Sequence, residues 1–223
     1  MPSKSRNSGI SIALALTACI IGIVAVILVS LWATNPKDSG DESYLGVSTT
    51  LMGYPGSENV FAWHPILMVG GFFVGQVLAI NTWSIIPDHM AGKILHVLWQ
   101  SAALACMIAG LAAVVKEKFN DKDPSLTTLH SWIGICGIVM FSINYLIGSF
   151  MALFTSYLPP DAKLRSSVDW LIMHRFFGLS ALSISGGAIL LGIMEEFGMY
   201  IYIYIYDYYH DDFVVDDGDD GDI

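Results

Sequence analysis

Five stretches without a single Asp, Glu, Lys or Arg run along this chain: Asn7 to Pro36, Asn59 to Pro87, Ile94 to Val115, Pro124 to Pro160 and Phe176 to Met194. Each supplies the roughly 20 apolar residues that a helix needs to cross the hydrocarbon layer of a bilayer. Inside lipid every backbone polar group must be paired within the protein, so runs of this length and character fold as helices. Composition agrees, since 54% of the residues are hydrophobic and only 13% are charged, a balance foreign to soluble domains. Trimmed at prolines and polar clusters, the stretches predict helices near 10–33, 62–84, 92–115, 127–154 and 168–194. The expected fold class is an all-α, multi-pass integral membrane protein with five transmembrane helices.

The first stretch follows Lys4 and Arg6. It is longer than the roughly 7–15 apolar residues of a signal-peptide core and reads as a retained anchor. A cytosolic N-terminus puts Lys4, Arg6, Lys93, Lys163, Arg165 and Arg175 inside, against Lys37, Lys116, Lys118 and Lys122 outside. That is a modest positive-inside bias. The formal net charge of −10 is concentrated in the last 17 residues, which hold eight aspartates; the remainder carries 12 acidic residues against 10 basic ones. A membrane body so near neutrality offers no basic patch for nucleic acid. Cys19, Cys106 and Cys136 lie within the spans without CxxC spacing, and read as small packing residues.

Four histidines, His64, His96, His130 and His174, fall one per span on four consecutive spans, each within a turn or two of the span's N-terminal end. Successive spans run in opposite directions. His64 and His130 therefore share one face of the bilayer, and His96 and His174 the other. In an up-and-down four-helix ring these are the diagonal pairs, whose side chains meet across the centre. The two levels are expected to lie roughly 15–20 Å apart from helix rise alone. Intramembrane histidines are costly and tend to be functional, although interhelical hydrogen bonding or reach toward the headgroups explains single cases. His89, in the connection after the second span, and His210, in the tail, lack this placement and read as solvent-exposed.

Two imidazoles per level, with no Cys, Asp or Glu beside them, are too few for a compact zinc site, which takes about four protein ligands. A porphyrin brings four nitrogens and asks only for axial ligands. Two haems, each held by one pair, satisfy this pattern, and with both axial positions filled they suit electron transfer. Gly70, Gly71, Gly75, Gly134, Gly137, Gly178, Gly186 and Gly187 offer room for a flat macrocycle, or equally for close helix packing.

The strings Trp63-His64-Pro65 with Leu67-Met68, Lys93-Ile94-Leu95-His96, Leu129-His130-Ser131-Trp132-Ile133-Gly134 and His174-Arg175-Phe176-Phe177-Gly178 resemble the eukaryotic cytochrome b561 family over residues 12–198. The resemblance implies a fold of usually six helices with a central dihaem bundle from helices two to five. It implies two haem b groups, His64/His130 holding the non-cytosolic one and His96/His174 the cytosolic one. The implied activity passes electrons from cytosolic ascorbate across the lipid bilayer to monodehydroascorbate or a ferric chelate. Lys93 matches a family lysine at the ascorbate site, and Arg165 joins it, with Lys163 and Arg175, in the basic set expected at the inner face. The chain departs from the family at Trp83-Ser84, where Tyr-Arg is common, and at Thr127-Thr128, where a tyrosine is common.

Residues 1–9 are expected to form a cytosolic N-terminal tail, 10–198 the transmembrane domain, and 199–223 a low-complexity tail. That tail alternates Tyr and Ile over Tyr200–Tyr206 before its aspartates. Such a run is what a TA dinucleotide repeat encodes, and it is β-prone. It is expected to mark a run-on, a frameshift or a truncation ahead of a sixth helix, the functional alternative being an acidic regulatory tail. Two other functions fit the same spans. One is a quinol-linked dihaem cytochrome b subunit, separable by whether ascorbate alone reduces the protein. The other is a transporter or scaffold, which would show no b-type spectrum. The sequence leaves a homodimer open, as it does the identity of the membrane.

Overall fold

The computed structural model describes residues 9–34, 60–121, 126–157 and 168–211. Five helices in it are long and apolar enough to span a membrane: α1 (Gly9–Thr34), α2 (Trp63–Ile85), α3 (His89–Asp121), α4 (Leu129–Tyr157) and α5 (Val168–Asp211). Among the described residues there is no strand. The all-α, multi-pass fold expected from the apolar runs is the fold observed.

Local chemistry sets the helix starts. α2 begins on a turn in which the Trp63 and His64 N–H groups donate to Val60 O (3.2 Å) and Phe61 O (2.8 Å). Pro65 follows in the first turn, where its missing N–H costs no helical bond. α3 starts at His89, three residues before the sequence-based boundary, because Asp88 caps it: Ala91 N–H donates to Asp88 Oδ1 at 2.7 Å. α4 starts behind Thr128, whose Oγ1 accepts from Ser131 N–H at 3.3 Å. This places His64 and His130 each second in its helix.

Between Ile66 and Phe73, α2 is π-helical, with Val74 N–H bonded to both Val69 O and Gly71 O. The Gly70–Gly71 pair lies in this segment, and π-turns are rare distortions that cluster at functional sites. Eight residues separate His64 from Phe72, about 80° beyond two full α-helical turns. The wider turn removes most of that offset, so both rings face α4, His64 against His130 and Phe72 against Phe141.

The packing is that of two tight hairpins. α2 packs closely on α3 and α4 on α5, while α3–α4 and α2–α5 touch more thinly and α1 lies outside against α2. Small residues bring the helices together, as expected where lipid gives no hydrophobic drive. A Cβ on Gly71 would run into the Cys106 side chain, and one on Gly75 would lie 3.0 Å from Ala103 Cβ. Across the bundle, Gly137 meets Ser185 in the same way, at 3.0 Å from Oγ. At mid-height the hairpins meet through a core of Phe72, Ala103, Met107, Phe141 and Ala181. There Phe72 and Phe141 pack edge to face with ring centres 4.9 Å apart.

α5 does not end near 194. It continues unbroken to Asp211, about 66 Å of helix against a hydrocarbon thickness of about 30 Å. The Tyr/Ile alternation is therefore helical and not extended, and the exposed Tyr202 and Tyr206 rings stack at i,i+4 spacing with centres 6.4 Å apart.

Candidate functional site

The four span histidines meet in two pairs. His64 and His130 lie with ring centres 6.2 Å apart and planes at 88°. His96 and His174 repeat this at the other end of the bundle, at 6.2 Å and 73°. Both pairs bridge diagonal helices, α2 to α4 and α3 to α5, in the pairing expected from antiparallel topology.

What turns three of the four rings toward their partners is a backbone carbonyl on the neighbouring helix of the same hairpin. His64 Nδ1 lies 3.0 Å from Gly110 O on α3, His96 Nδ1 2.9 Å from Ala79 O on α2, and His130 Nδ1 2.7 Å from Ala188 O on α5. A carbonyl can only accept, so Nδ1 carries the proton in all three, and the lone pair is left on Nε2. That tautomer is the one metal ligation requires. Trp83 Nε1 also approaches His96 Nδ1, at 3.3 Å. A protonated Nδ1 cannot accept, so the shorter contact to Ala79 O governs and the indole serves as a cover over the ring. His174 faces α4 in the matching pose, next to the Asn144 backbone carbonyl, yet its buried Nδ1 has no hydrogen bond of acceptable geometry.

The anchors also set the vertical spacing. Fourteen residues separate His96 from Gly110 and His174 from Ala188, and fifteen separate His64 from Ala79. Thus α2, α3 and α5 each offer a ligand at one end and an anchoring carbonyl at the other, about 21 Å apart at 1.5 Å per residue.

Two glycines make the close ring approach possible. A Cβ on Gly192 would stand 2.9 Å from His130 Cε1 and 3.0 Å from its Nδ1; one on Gly148 would stand 2.8 Å from His174 Cε1. Each lies one turn beyond the carbonyl its ring faces, Ala188 and Asn144. Neither belongs to the glycine set singled out from the sequence. Of that set, Gly70, Gly71, Gly75 and Gly137 are packed against Val26, Cys106, Ala103 and Ser185, which corrects them from macrocycle space to helix packing. Gly186 meets Phe73 and Gly178 meets Asn144, whereas Gly134 and Gly187 have nothing within 4 Å.

The geometry suits one axial iron per pair. A metal–imidazole bond is about 2 Å, so two Nε2 atoms on one iron lie about 4 Å apart, and roughly 1 Å more on each side to the ring centre gives roughly 6 Å. Among the described residues no three His, Cys, Asp or Glu side chains gather where they could hold a bare ion. A group that brings its own equatorial nitrogens fits these pairs, as haem does.

Of the other candidate residues, Lys93 lies half-buried on α3 three residues before His96, and Arg175 is exposed beside His174. Arg165 and Lys163 lie outside the described residues. His89 is exposed, as expected, but it is the first residue of α3 and its ring packs on Trp83 at 5.7 Å. Trp83 also packs on His96 at 5.6 Å.

A model of the eukaryotic cytochrome b561 family matches residues 63–199, the segment that holds all four histidines. Among curated proteins, the chain is 33% identical over 150 residues to the mouse lysosomal membrane ascorbate-dependent ferrireductase CYB561A3, covering 64% of this chain and 59% of that one. It is 26% identical over 187 residues to the mouse plasma membrane ascorbate-dependent reductase CYBRD1, with 82% and 59% covered. Against the Arabidopsis thaliana transmembrane ascorbate ferrireductase 1 it is 27% identical over 187 residues, with 83% and 72% covered. The chain thus spans a little under three-fifths of the length of the mouse proteins.

Proposed function

This chain belongs to the eukaryotic cytochrome b561 family, and from that premise we propose that it carries electrons across a membrane through two b haems. His64 and His130 hold one haem, His96 and His174 the other. The donor is ascorbate on the cytosolic side, where His96 and His174 lie, and the acceptor is monodehydroascorbate or a ferric chelate on the opposite side. The N-terminus is cytosolic in this reading, and residues 10–198 are the electron-transferring domain between the terminal segments 1–9 and 199–223.

The observation that carries the proposal is the repeated pair: two diagonal imidazole couples at the same 6.2 Å separation, one at each end of the bundle. Haem, when bound, would supply a one-electron ferric/ferrous couple, with each histidine pair as the residues that would hold it. The chain's own residues do the rest. The carbonyls of Gly110, Ala79 and Ala188 fix the ligating tautomer. Gly148 and Gly192 give the rings their space. Phe72 and Phe141 fill the middle of the bundle with apolar rings and keep water out between the two levels. Lys93, with Arg165 and Arg175, draws an anionic donor to the His96/His174 end. Three relatives whose names specify ascorbate-dependent reduction, two of them ferrireductases, support this choice of donor and acceptor.

The test is reduction of the purified protein in sealed vesicles, with ascorbate on one side and a ferric chelate on the other. Ascorbate alone is expected to produce a reduced b-type spectrum with two components, and reoxidation is expected to follow chelate added on the far side. A protein without a reducible b-type spectrum would refute the proposal; one that responds to quinol and not to ascorbate would replace the donor.

A further inference from the structure

Two kinds of acceptor fit the His64/His130 end, the monodehydroascorbate anion and ferric iron, and one charged residue there tells them apart. On α5, Ala188, Gly192 and Glu196 follow one another at four-residue spacing, so they share one face, each about 6 Å further along the axis. The first two touch the His130 ring: Ala188 O accepts from Nδ1 at 2.7 Å, and a Cβ on Gly192 would stand 2.9 Å from Cε1. Glu196 is the next residue on that face. A helical side chain leans back over the turn N-terminal to its own Cα. Glu196 therefore leans toward the turn of Gly192, where glycine contributes no side chain to separate it from the ring. Burial agrees, since Glu196 is half-buried whereas Glu195 and Phe197 on either side of it are exposed. The matching place on α3 differs. Gly110 O faces His64 as Ala188 O faces His130, but one turn on stands Val114, and one turn beyond that Lys118. The Val114 side chain fills the turn that glycine leaves open on α5, so Lys118 has no equivalent approach.

We propose that Glu196 selects the acceptor by charge, making the His64/His130 end a docking point for a cationic ferric species and a poor one for the monodehydroascorbate anion. This rests on the reading of the chain as a transmembrane carrier of electrons. A carboxylate attracts a cation and repels an anion as each approaches, and at a half-buried position its field is screened less than on an open surface. Among the described residues no three His, Cys, Asp or Glu side chains gather to hold an ion, so Glu196 acts as a fixed charge that guides the acceptor and lets it leave. The ferric acceptor takes one electron and becomes ferrous, with no proton or bond exchanged at Glu196.

The experiment compares two one-electron probes of opposite charge, cationic hexaammineruthenium(III) and anionic ferricyanide. Each is added on the His64/His130 side of sealed vesicles that carry the dihaem protein, with ascorbate on the other side. Reoxidation is read at low ionic strength and mildly alkaline pH, where a carboxylate is ionised, for wild type, Glu196→Gln and Glu196→Lys, with Glu195→Gln as the control. The ratio of the two rates is the quantity to read, because a change in haem content moves both probes together. Glu196→Gln is expected to lower the cation-to-anion ratio several-fold and Glu196→Lys to lower it further, with both effects shrinking at high salt. Glu195→Gln removes the same charge one residue away and should change the ratio less. A potentiometric titration gives a readout independent of turnover: Glu196→Gln should raise the midpoint of the spectral component that His130→Ala removes and leave the other in place, since a nearby negative charge favours the ferric state. An unmoved ratio, an unmoved midpoint, or a ratio shift from Glu195→Gln as large as that from Glu196→Gln overturns the inference. A wild-type protein without a reducible b-type spectrum overturns the functional reading and this inference with it; normal reoxidation with an unmoved ratio overturns this inference alone.

Discussion

Gly192→Ala should weaken one haem and spare the other. The added Cβ would stand 2.9 Å from His130 Cε1 and 3.0 Å from Nδ1, where ordinary carbon contacts sit at about 3.5–4.0 Å. The ring must retreat by roughly 0.5–1 Å. It is not free to do so, because its Nδ1–H is held at 2.7 Å by Ala188 O, on the turn before Gly192. Overpacking of this kind costs about 1–3 kcal/mol, and a lost hydrogen bond adds about 0.5–1.5 kcal/mol. Even the lower bounds together predict about tenfold weaker haem binding at the His64/His130 pair. Helix propensity pulls the other way, since Ala stabilises a helix interior over Gly by about 1 kcal/mol. That gain acts on folding, so haem affinity is the quantity to read. The assay is the rate of haem transfer from purified protein to a haem-scavenging apoprotein, with the haem-to-polypeptide ratio. Gly187→Ala, on the same helix with nothing within 4 Å, is the control and should match wild type. If Gly192→Ala retains haem as long as Gly187→Ala does, the ring is not clamped against α5 as described.

Four further outcomes follow from the same geometry. His96→Ala and His174→Ala should remove one spectral component and His64→Ala and His130→Ala the other; loss of a common component by His64→Ala and His96→Ala would break the diagonal pairing. Gly71→Val should lower the thermal midpoint of the detergent-solubilised protein by prising α2 from α3, with partial rescue by Cys106→Gly, which removes the atoms a Cβ there would strike. Trp83→Leu should disturb only the His96/His174 component, seen as a changed low-spin haem signal in electron paramagnetic resonance, since the indole lies against His96 and far along α2 from His64. Lys93→Glu should raise the ascorbate KM several-fold at low salt, and the difference from wild type should shrink as ionic strength shortens the Debye length to about 8 Å or less.

Much of the bundle was legible in the sequence because lipid leaves a chain few choices. Charge-free runs had to be helices, and alternating direction had to sort one histidine per span into two pairs. Three features were not legible. The carbonyl anchors are main-chain groups, identical at every position, so nothing in the residue names Gly110, Ala79 or Ala188 marks them. The glycines that admit the rings, Gly148 and Gly192, carry no local signal either; a glycine's neighbour is decided by a helix far away in sequence, and Gly71 and Gly75 turned out to serve packing. The π-helical stretch in α2 was hidden behind an apolar run that fits a regular helix equally well. A signal was available at the start of α3, where Asp88 precedes the apolar run as a capping residue, and it explains the shift of that boundary to His89. Trp83, a departure from the family pattern, proved to cover His96, so its aromatic bulk has a local use whatever charge the family carries there.

The anchors and the pairs divide the labour between helices in a way that bears on assembly. The three anchors each run within a hairpin: α2 and α3 hold each other's histidines, and α5 holds His130 of α4. Both ligand pairs run between hairpins, where direct packing is thinnest. The α2/α3 hairpin can therefore orient both its ligands, and the α4/α5 hairpin His130, before the two meet, and a haem bound at each pair would then tie the hairpins together at one end of the bundle. Phe72 and Phe141 are the apolar contact that brings them together at mid-height in the meantime. On this argument, haem-starved protein should retain its helical content by circular dichroism. A cross-link between engineered cysteines on α2 and α4 should form more slowly in it than one between α2 and α3. Equal cross-linking rates with and without haem would mean that the hairpins need no tie, and that the pairs serve electron transfer alone.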